Sequence, residues 1–93
     1  MPMYTLSAKL IFWIPHSSSL KDKRQVARSM LDKTRGRFNV SVAEVDSQDV
    51  HKTLTVGVAV VSGDAAHARD SLNEIIRYME GCAEAELTHI EYM

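Results

Sequence analysis

The sequence is poor in the residues that stabilise small secreted proteins and in those that mark disordered ones. A single cysteine, Cys82, excludes a disulfide framework within the chain and favours a reducing compartment. Two prolines and four glycines among 93 residues are too few for a disordered chain. No apolar run approaches the roughly 20 residues of a membrane span, and the first residues lack the pattern of a signal peptide. We therefore expect residues 1–93 to form one cytoplasmic globular domain with no membrane partner.

The sequence also lacks a recognisable catalytic or cofactor motif. The histidines have no metal-ligand spacing, and no glycine-rich phosphate loop is present. Ser18 and Lys21 fit a serine–lysine enzyme pattern, but its companion motifs are missing, which favours helix capping. Glu44, Asp46 and Asp49 could ligate Mg²⁺, but without a spaced glycine loop they are better explained as an ion-paired strand end. We therefore expect no catalytic residues, no metal, no cofactor and no enzyme activity.

Hydrophobic periodicity predicts six elements. Alternation predicts strands, and a period near 3.6 predicts helices, in the order strand 4–14, helix 20–35, strand 38–46, strand 54–61, helix 65–80 and strand 83–93. Ser19 is the expected N-cap of the first helix, and Gly36 its left-handed C-terminal cap. A slip in the alternation near Thr88 or His89 predicts a bulge. This order predicts an α+β ferredoxin-like split βαβ sandwich, with a four-stranded antiparallel sheet and two helices on one face.

The net charge of -1 hides two segments of opposite sign. Residues 21–37 hold seven basic and two acidic side chains, a net +5, and residues 64–93 hold two basic and seven acidic ones, a net -5. This split indicates either an anionic partner for the basic segment or two parts of one chain that neutralise each other. Because basic side chains provide most of the affinity for nucleic acids, the first helix supplies the candidate RNA- or anion-binding residues Lys21, Lys23, Arg24, Arg28 and Arg35.

The predicted topology places the start of the basic helix beside an acidic strand end. The first and second strands run in the same direction, so residues 14–24 and 46–52 meet at one edge of the sheet. We expect the acids Glu44, Asp46 and Asp49 to pair with the first turn of the helix, and to form a structural edge together with Ser19 and Gln48. Such pairing would leave Arg28 and Arg35 as the better candidates for an outside partner.

The face of the sheet that the helices leave uncovered is small and half-apolar. A face of this kind favours a partner over exposure to water. Its expected oligomer contacts are Ile11, Trp13, Ala59 and Val61.

Two segments, SLKDKR at 19–24 and FNVSVAEVDSQD at 38–49, resemble the YlxP-like family, the bacterial domain of unknown function 503. The resemblance extends over nearly the whole chain and implies a ferredoxin-like fold, a cytoplasmic location and no assigned enzymatic activity. Members are commonly linked with translation and ribosome-assembly genes, which suggests an RNA or ribosome partner. The chain departs from the family at His51 and Lys52, where an aromatic residue is expected. The family pattern points to Ser19, Leu20, Lys21, Lys23, Arg24, Glu44, Asp46, Gln48 and Asp49.

Three functions remain open from the sequence. The first is a non-enzymatic accessory factor that binds ribosomal RNA or a ribosomal subunit through the basic helix, with no DNA partner expected. The second is a homo-oligomeric assembly module, such as a homodimer, that uses the uncovered sheet face. The third is an enzyme with a small anionic substrate at the edge formed by residues 14–24 and 46–52. The paired aromatics of an RRM sheet are missing, so base stacking on the sheet is not expected.

Overall fold

A computed structural model describes residues 1–93, and the chain forms six elements. In chain order they are β1 (Tyr4–Trp13), α1 (Leu20–Arg37), β2 (Ser41–Asp46), β3 (Thr53–Ser62), α2 (Ala65–Glu80) and β4 (Glu86–Tyr92). The strands form one antiparallel sheet in the order β2-β3-β1-β4, with β1 and β3 in the centre. The predicted ferredoxin-like α+β fold is confirmed.

The core lies between the sheet and the two helices. Alternate side chains of the central strands point into it, and Leu10, Phe12, Leu54 and Val56 are completely buried there. Met79 of α2 meets them from the helix layer and is equally buried. Each such side chain stabilises the fold by about 1.5–3 kcal/mol relative to exposure. Neither helix combines the length and the apolar character that crossing a membrane requires.

Helix α1 ends later than the sequence predicts. It continues through Gly36 to Arg37, and no glycine has a positive φ, so the left-handed cap expected at Gly36 is wrong. The chain leaves the helix at Phe38, whose N–H donates to the Thr34 carbonyl at 3.0 Å. Phe38 packs edge-to-face on Tyr78, with the ring centroids 5.4 Å apart. This contact keeps Phe38 out of β2, which begins at Ser41 instead of Phe38.

Two bulges shape the outer strands. Ile11 pairs with His89 and Phe12 with Leu87, which leaves Thr88 as the extra residue and confirms the predicted irregularity. The second bulge leaves Val45 without a partner between Glu44 and Asp46 of β2, and the sequence does not predict it. Because a bulge sets two residues against one on the neighbouring strand, Val45 and Asp46 both reach the sheet face that the helices leave open.

Candidate functional site

A capping box fixes the start of α1. The Ser19 hydroxyl accepts the Asp22 N–H at 3.1 Å, which confirms Ser19 as the N-cap. In return, the Asp22 carboxylate accepts the Ser18 N–H at 3.0 Å and the Ser18 hydroxyl at 2.8 Å. Both bonds hold the pKa of Asp22 below its ordinary value, and the bond from the Ser18 backbone has the larger effect. The negative carboxylate also complements the positive end of the helix dipole.

Lys23 is completely buried one residue further along. Its Nζ donates to the carbonyls of Ser47 at 2.5 Å, Gln48 at 3.2 Å and Thr53 at 3.3 Å. The Glu44 Oε2 lies 2.9 Å from the same nitrogen, yet this buried oxygen has no hydrogen-bond donor of its own. An ammonium has only three N–H groups, and here all three serve the carbonyls. Glu44 therefore neutralises the charge, while the backbone takes the hydrogen bonds.

This pair confirms the predicted contact between the helix start and the acidic strand end. It also removes Lys23 from the candidate RNA-binding residues, because a buried ammonium cannot touch an outside partner. A pattern in the sequence indicates this burial. Lys23 precedes Ala27 by four residues and Met30 by seven, which places it on the buried side of the helix.

Lys52 makes the reciprocal contact. Its Nζ donates to the carbonyls of Pro15 at 3.0 Å and Ser17 at 2.8 Å, and its own carbonyl accepts the Ile14 N–H at 2.9 Å. The helix lysine therefore holds the β2–β3 loop, and the loop lysine holds the β1–α1 loop. Sequence reasoning missed this role for Lys52, since a lysine that binds backbone carbonyls has no sequence pattern.

The other members of the predicted structural edge do not gather around the helix start. Asp46 pairs instead with Lys9 of β1 at 3.1 Å, on the open face of the sheet. The hydrogen bond and the charge of Asp46 raise the pKa of Lys9. Gln48 contributes its backbone carbonyl, and Asp49 is exposed and forms no ion pair. The three carboxylates therefore have separate surroundings and do not converge on one ligand.

The basic strip, defined as Lys21, Arg24 and Arg28, lies along one side of α1. All three side chains are exposed, and no carboxylate oxygen lies within 4.0 Å of their charged nitrogens. At 100° per residue they fall within about 60° of one another around the helix. Arg35 shares this side but is engaged, since it donates to the Val42 carbonyl at 2.9 Å and pairs with Asp32 at 3.2 Å. The strip therefore borders the edge strand β2.

The acidic segment of the chain does not neutralise the basic one through direct contacts. The three ion pairs join Lys9 to Asp46, Lys23 to Glu44 and Arg35 to Asp32. None of them connects residues 21–37 with residues 64–93. The charge split had two explanations, an anionic partner or neutralisation within the chain. No ion pair supports neutralisation within the chain.

The predicted oligomer contacts share the open face but lie in two groups. Trp13 is 47% exposed at one end, and Val61 is 59% exposed at the other. Ile11 accompanies Trp13 and Ala59 accompanies Val61, both half-buried. Between the groups runs a shallow groove of about 330 Å³. Its lining consists mainly of small side chains and glycine: Ser7, Ala8, Ser41, Ala43, Gly57 and Ala59.

A cavity of about 260 Å³ lies at the edge where a small anionic substrate could be expected. Its charged lining consists of Asp22 and Glu84, with His16 and Gln25 as polar neighbours and no lysine or arginine. Lys23 and Lys52, which both lie at this edge, point their ammonium groups at backbone carbonyls. The cavity thus holds no converging basic groups for an anion.

Comparison with known proteins adds a family and a structural neighbour. The model of a family described as "Protein of unknown function (DUF503)" matches residues 5–92. The chain is 31% identical over 72 residues to "Uncharacterized protein YlxP" of Bacillus subtilis (strain 168), across 77% of this chain and 78% of that protein. Its fold is similar to a C-terminal segment of the alpha subunit of aIF2 from Pyrococcus abyssi, with a TM-score of 0.64 at 14% identity. That alignment covers 100% of this chain and 52% of the solved one, so the chain spans about half its length.

Proposed function

The chain belongs to the DUF503 family of proteins of unknown function, and we propose that it is a non-enzymatic, cytoplasmic accessory factor that binds structured RNA through the basic strip. Ribosomal RNA, within a ribosomal subunit, is the expected target. The observation that carries this proposal is that Lys21, Arg24 and Arg28 form no ion pair within 4.0 Å.

Charge without a partner favours an anionic ligand. A run of arginines and lysines along a helix usually forms local ion pairs, which reduce its pull on an outside anion. Here Asp32 is already paired with Arg35, while Asp22 accepts its hydrogen bonds from Ser18 and forms no ion pair within 4.0 Å. Phosphate groups along a nucleic-acid backbone match a row of exposed basic side chains.

The chemistry of the strip favours contacts to phosphates over contacts to bases. No aromatic residue lies among residues 20–37, so unpaired bases have nothing on this helix to stack against. A folded RNA presents closely spaced phosphates without needing such a platform. We therefore expect the strip to recognise the backbone of folded RNA with little base specificity.

The braced edge has a supporting role in this proposal. Lys23 joins the β2–β3 loop to the first turns of α1, next to Arg24. Loop and helix thereby form one rigid surface, which lowers the entropy lost when RNA binds. The alternative of a small-anion enzyme has no comparable support, since the cavity at this edge carries acids and lacks basic groups.

The experiment measures binding to ribosomal subunits and to a folded ribosomal RNA fragment as a function of salt. Arg24→Ala combined with Arg28→Ala should weaken binding and reduce the slope of log K against log [salt] by about 1.4–1.8. The matched control is Arg69→Ala combined with Arg77→Ala, which removes the same charge from exposed sites on α2. Equal binding by the Arg24/Arg28 variant and the wild-type protein would contradict the proposal, as would equal losses in both double variants.

A further inference from the structure

We propose that the open face of the sheet is the contact surface of a symmetric homodimer, in which two copies of the chain pack their sheets face to face. The inference is independent of RNA binding, because the basic strip belongs to the helix layer on the other side of the sheet. The occupant is a second copy of this chain, and shape, charge and size each support it.

The shape of the face suits a copy of itself. Trp13 and Val61 stand out at opposite ends, since Trp13 lies opposite Thr53 and Val61 opposite Thr5 in the β1–β3 register. The groove between them is floored by small side chains and Gly57. A surface that carries both protruding apolar side chains and a recess can meet its own copy across a two-fold axis, as isologous interfaces do.

The charge of the face permits it to be buried. Lys9 is the long basic side chain near its centre, and Asp46 already neutralises it at 3.1 Å. Covering this pair avoids burying an unpaired lysine, which would be strongly unfavourable; the unpaired Glu86 and Glu91 lie on the edge strand β4, at the margin of the face. Val45 lies beside the Lys9–Asp46 pair, 41% exposed, and adds apolar surface.

The size of the face reaches the range of stable interfaces. β1 and β3 have 10 residues each, β2 has 6 and β4 has 7. With about 3.3 Å per residue and about 4.8 Å between strands, the face projects roughly 500 Å². Two copies would therefore bury on the order of 1,000 Å², which is about the lower limit for a specific protein interface. This projected area does not include the additional surface of protruding side chains.

A nucleic acid or an anionic membrane suits this face less well. Its central lysine is neutralised, and the neighbouring strand β4 adds Glu86 opposite Trp13 and Glu91 opposite Lys9. Acids in these positions repel phosphate. The same acids lie at the margin of the face, where a second protein copy can leave them in water.

Trp13 supplies a direct probe, because it is the only tryptophan of the chain. Sedimentation equilibrium of the 93-residue protein over a wide micromolar range should give twice the monomer mass of 10.4 kDa at the upper end. Tryptophan emission should shift to the red on dilution, as Trp13 becomes exposed. Val61→Glu should give a monomer at all concentrations, with red-shifted emission and an unchanged circular dichroism spectrum.

The control is Val50→Glu, since Val50 is 49% exposed but lies in the β2–β3 loop, away from the face. This variant should dimerise like the wild-type protein. Ala59→Glu is a second test if Val61→Glu does not fold. A monomeric wild-type protein, or a dimer whose Trp13 emission is independent of concentration, would overturn the proposal, and the second result would assign the contact to another surface.

Discussion

The Lys23 Nζ lies 2.9 Å from the Glu44 Oε2, and the lysine side chain is almost wholly removed from solvent at 1% exposure. Two carbonyls of the β2–β3 loop and the Thr53 carbonyl at the start of β3 accept its hydrogen bonds, so the pair joins α1, β2, the β2–β3 loop and β3 at one point. A buried ammonium is stable when it has both its hydrogen bonds and its counter-charge. Removal of either partner leaves an uncompensated charge in the interior.

Replacement of Lys23 should therefore destabilise the protein strongly. Lys23→Met keeps most of the side-chain volume but leaves Glu44 without its counter-charge and removes the ammonium donor from the carbonyls of Gln48 and Thr53, whereas the Ser47 carbonyl still accepts the Val50 N–H. We expect a loss of about 3–5 kcal/mol in the free energy of unfolding, measured by urea denaturation. Lys21→Met is the control, because Lys21 is exposed on the same turn and its loss should change stability by about 0.5 kcal/mol or less. Similar losses in the two variants would show that the ammonium of Lys23 is not important for the fold.

The capping box predicts that the stability of the protein depends on pH in the acidic range. Because the pKa of Asp22 is lowered in the folded protein, its contribution is complete above the unfolded value, about 3.9, and disappears as the pH falls through the folded value. The stability difference between wild type and Asp22→Asn should thus be constant near neutral pH and shrink below about pH 4. Thermal unfolding at a series of pH values measures it.

Asp49→Asn provides the comparison for this pH series. Asp49 is exposed and makes no ion pair, so its replacement removes one carboxylate without removing a capping bond. If Asp22→Asn follows the wild-type curve in parallel down to low pH, the bonds from Ser18 do not stabilise the carboxylate in solution.

The bulge at Val45 predicts that Gly57→Ala destabilises the wild-type protein but stabilises a Val45→Ala variant. A Cβ placed on Gly57 would lie 2.9 Å from Val45 Cγ1, which is closer than packed carbon atoms tolerate. We expect Gly57→Ala to destabilise the protein by about 1 kcal/mol. In a Val45→Ala background, the same substitution should stabilise it by about 0.5–1 kcal/mol, because alanine loses less backbone entropy than glycine. A double-mutant cycle by urea denaturation yields the coupling, and a value near zero would mean that Val45 does not cover Gly57.

The sequence predicts the fold well where hydrophobic periodicity defines the strands and helices. It predicts the site poorly where a single tertiary contact determines the position of a residue. Alternation in β1 and β3 and the periodicity of α2 are enough for the elements and their order. The prediction at Gly36 was wrong, although a glycine in the last turn of a helix with basic residues is typical of a C-terminal cap. The helix ends instead where Phe38 packs on Tyr78. Asp46 pairs with Lys9 because the bulge at Val45 places it on the open face, and no local pattern marks that bulge.

The two lysines that cross between the loops make the opening of either loop a shared event. Lys23 reaches residues 24 to 30 positions ahead in the chain, and Lys52 reaches back 35 to 37 positions. The β1–α1 loop cannot leave its place without freeing Lys52, and the β2–β3 loop cannot leave without exposing Lys23. In hydrogen exchange the two loops should behave as one cooperative unit with a single opening free energy, so that this edge opens fully or stays closed.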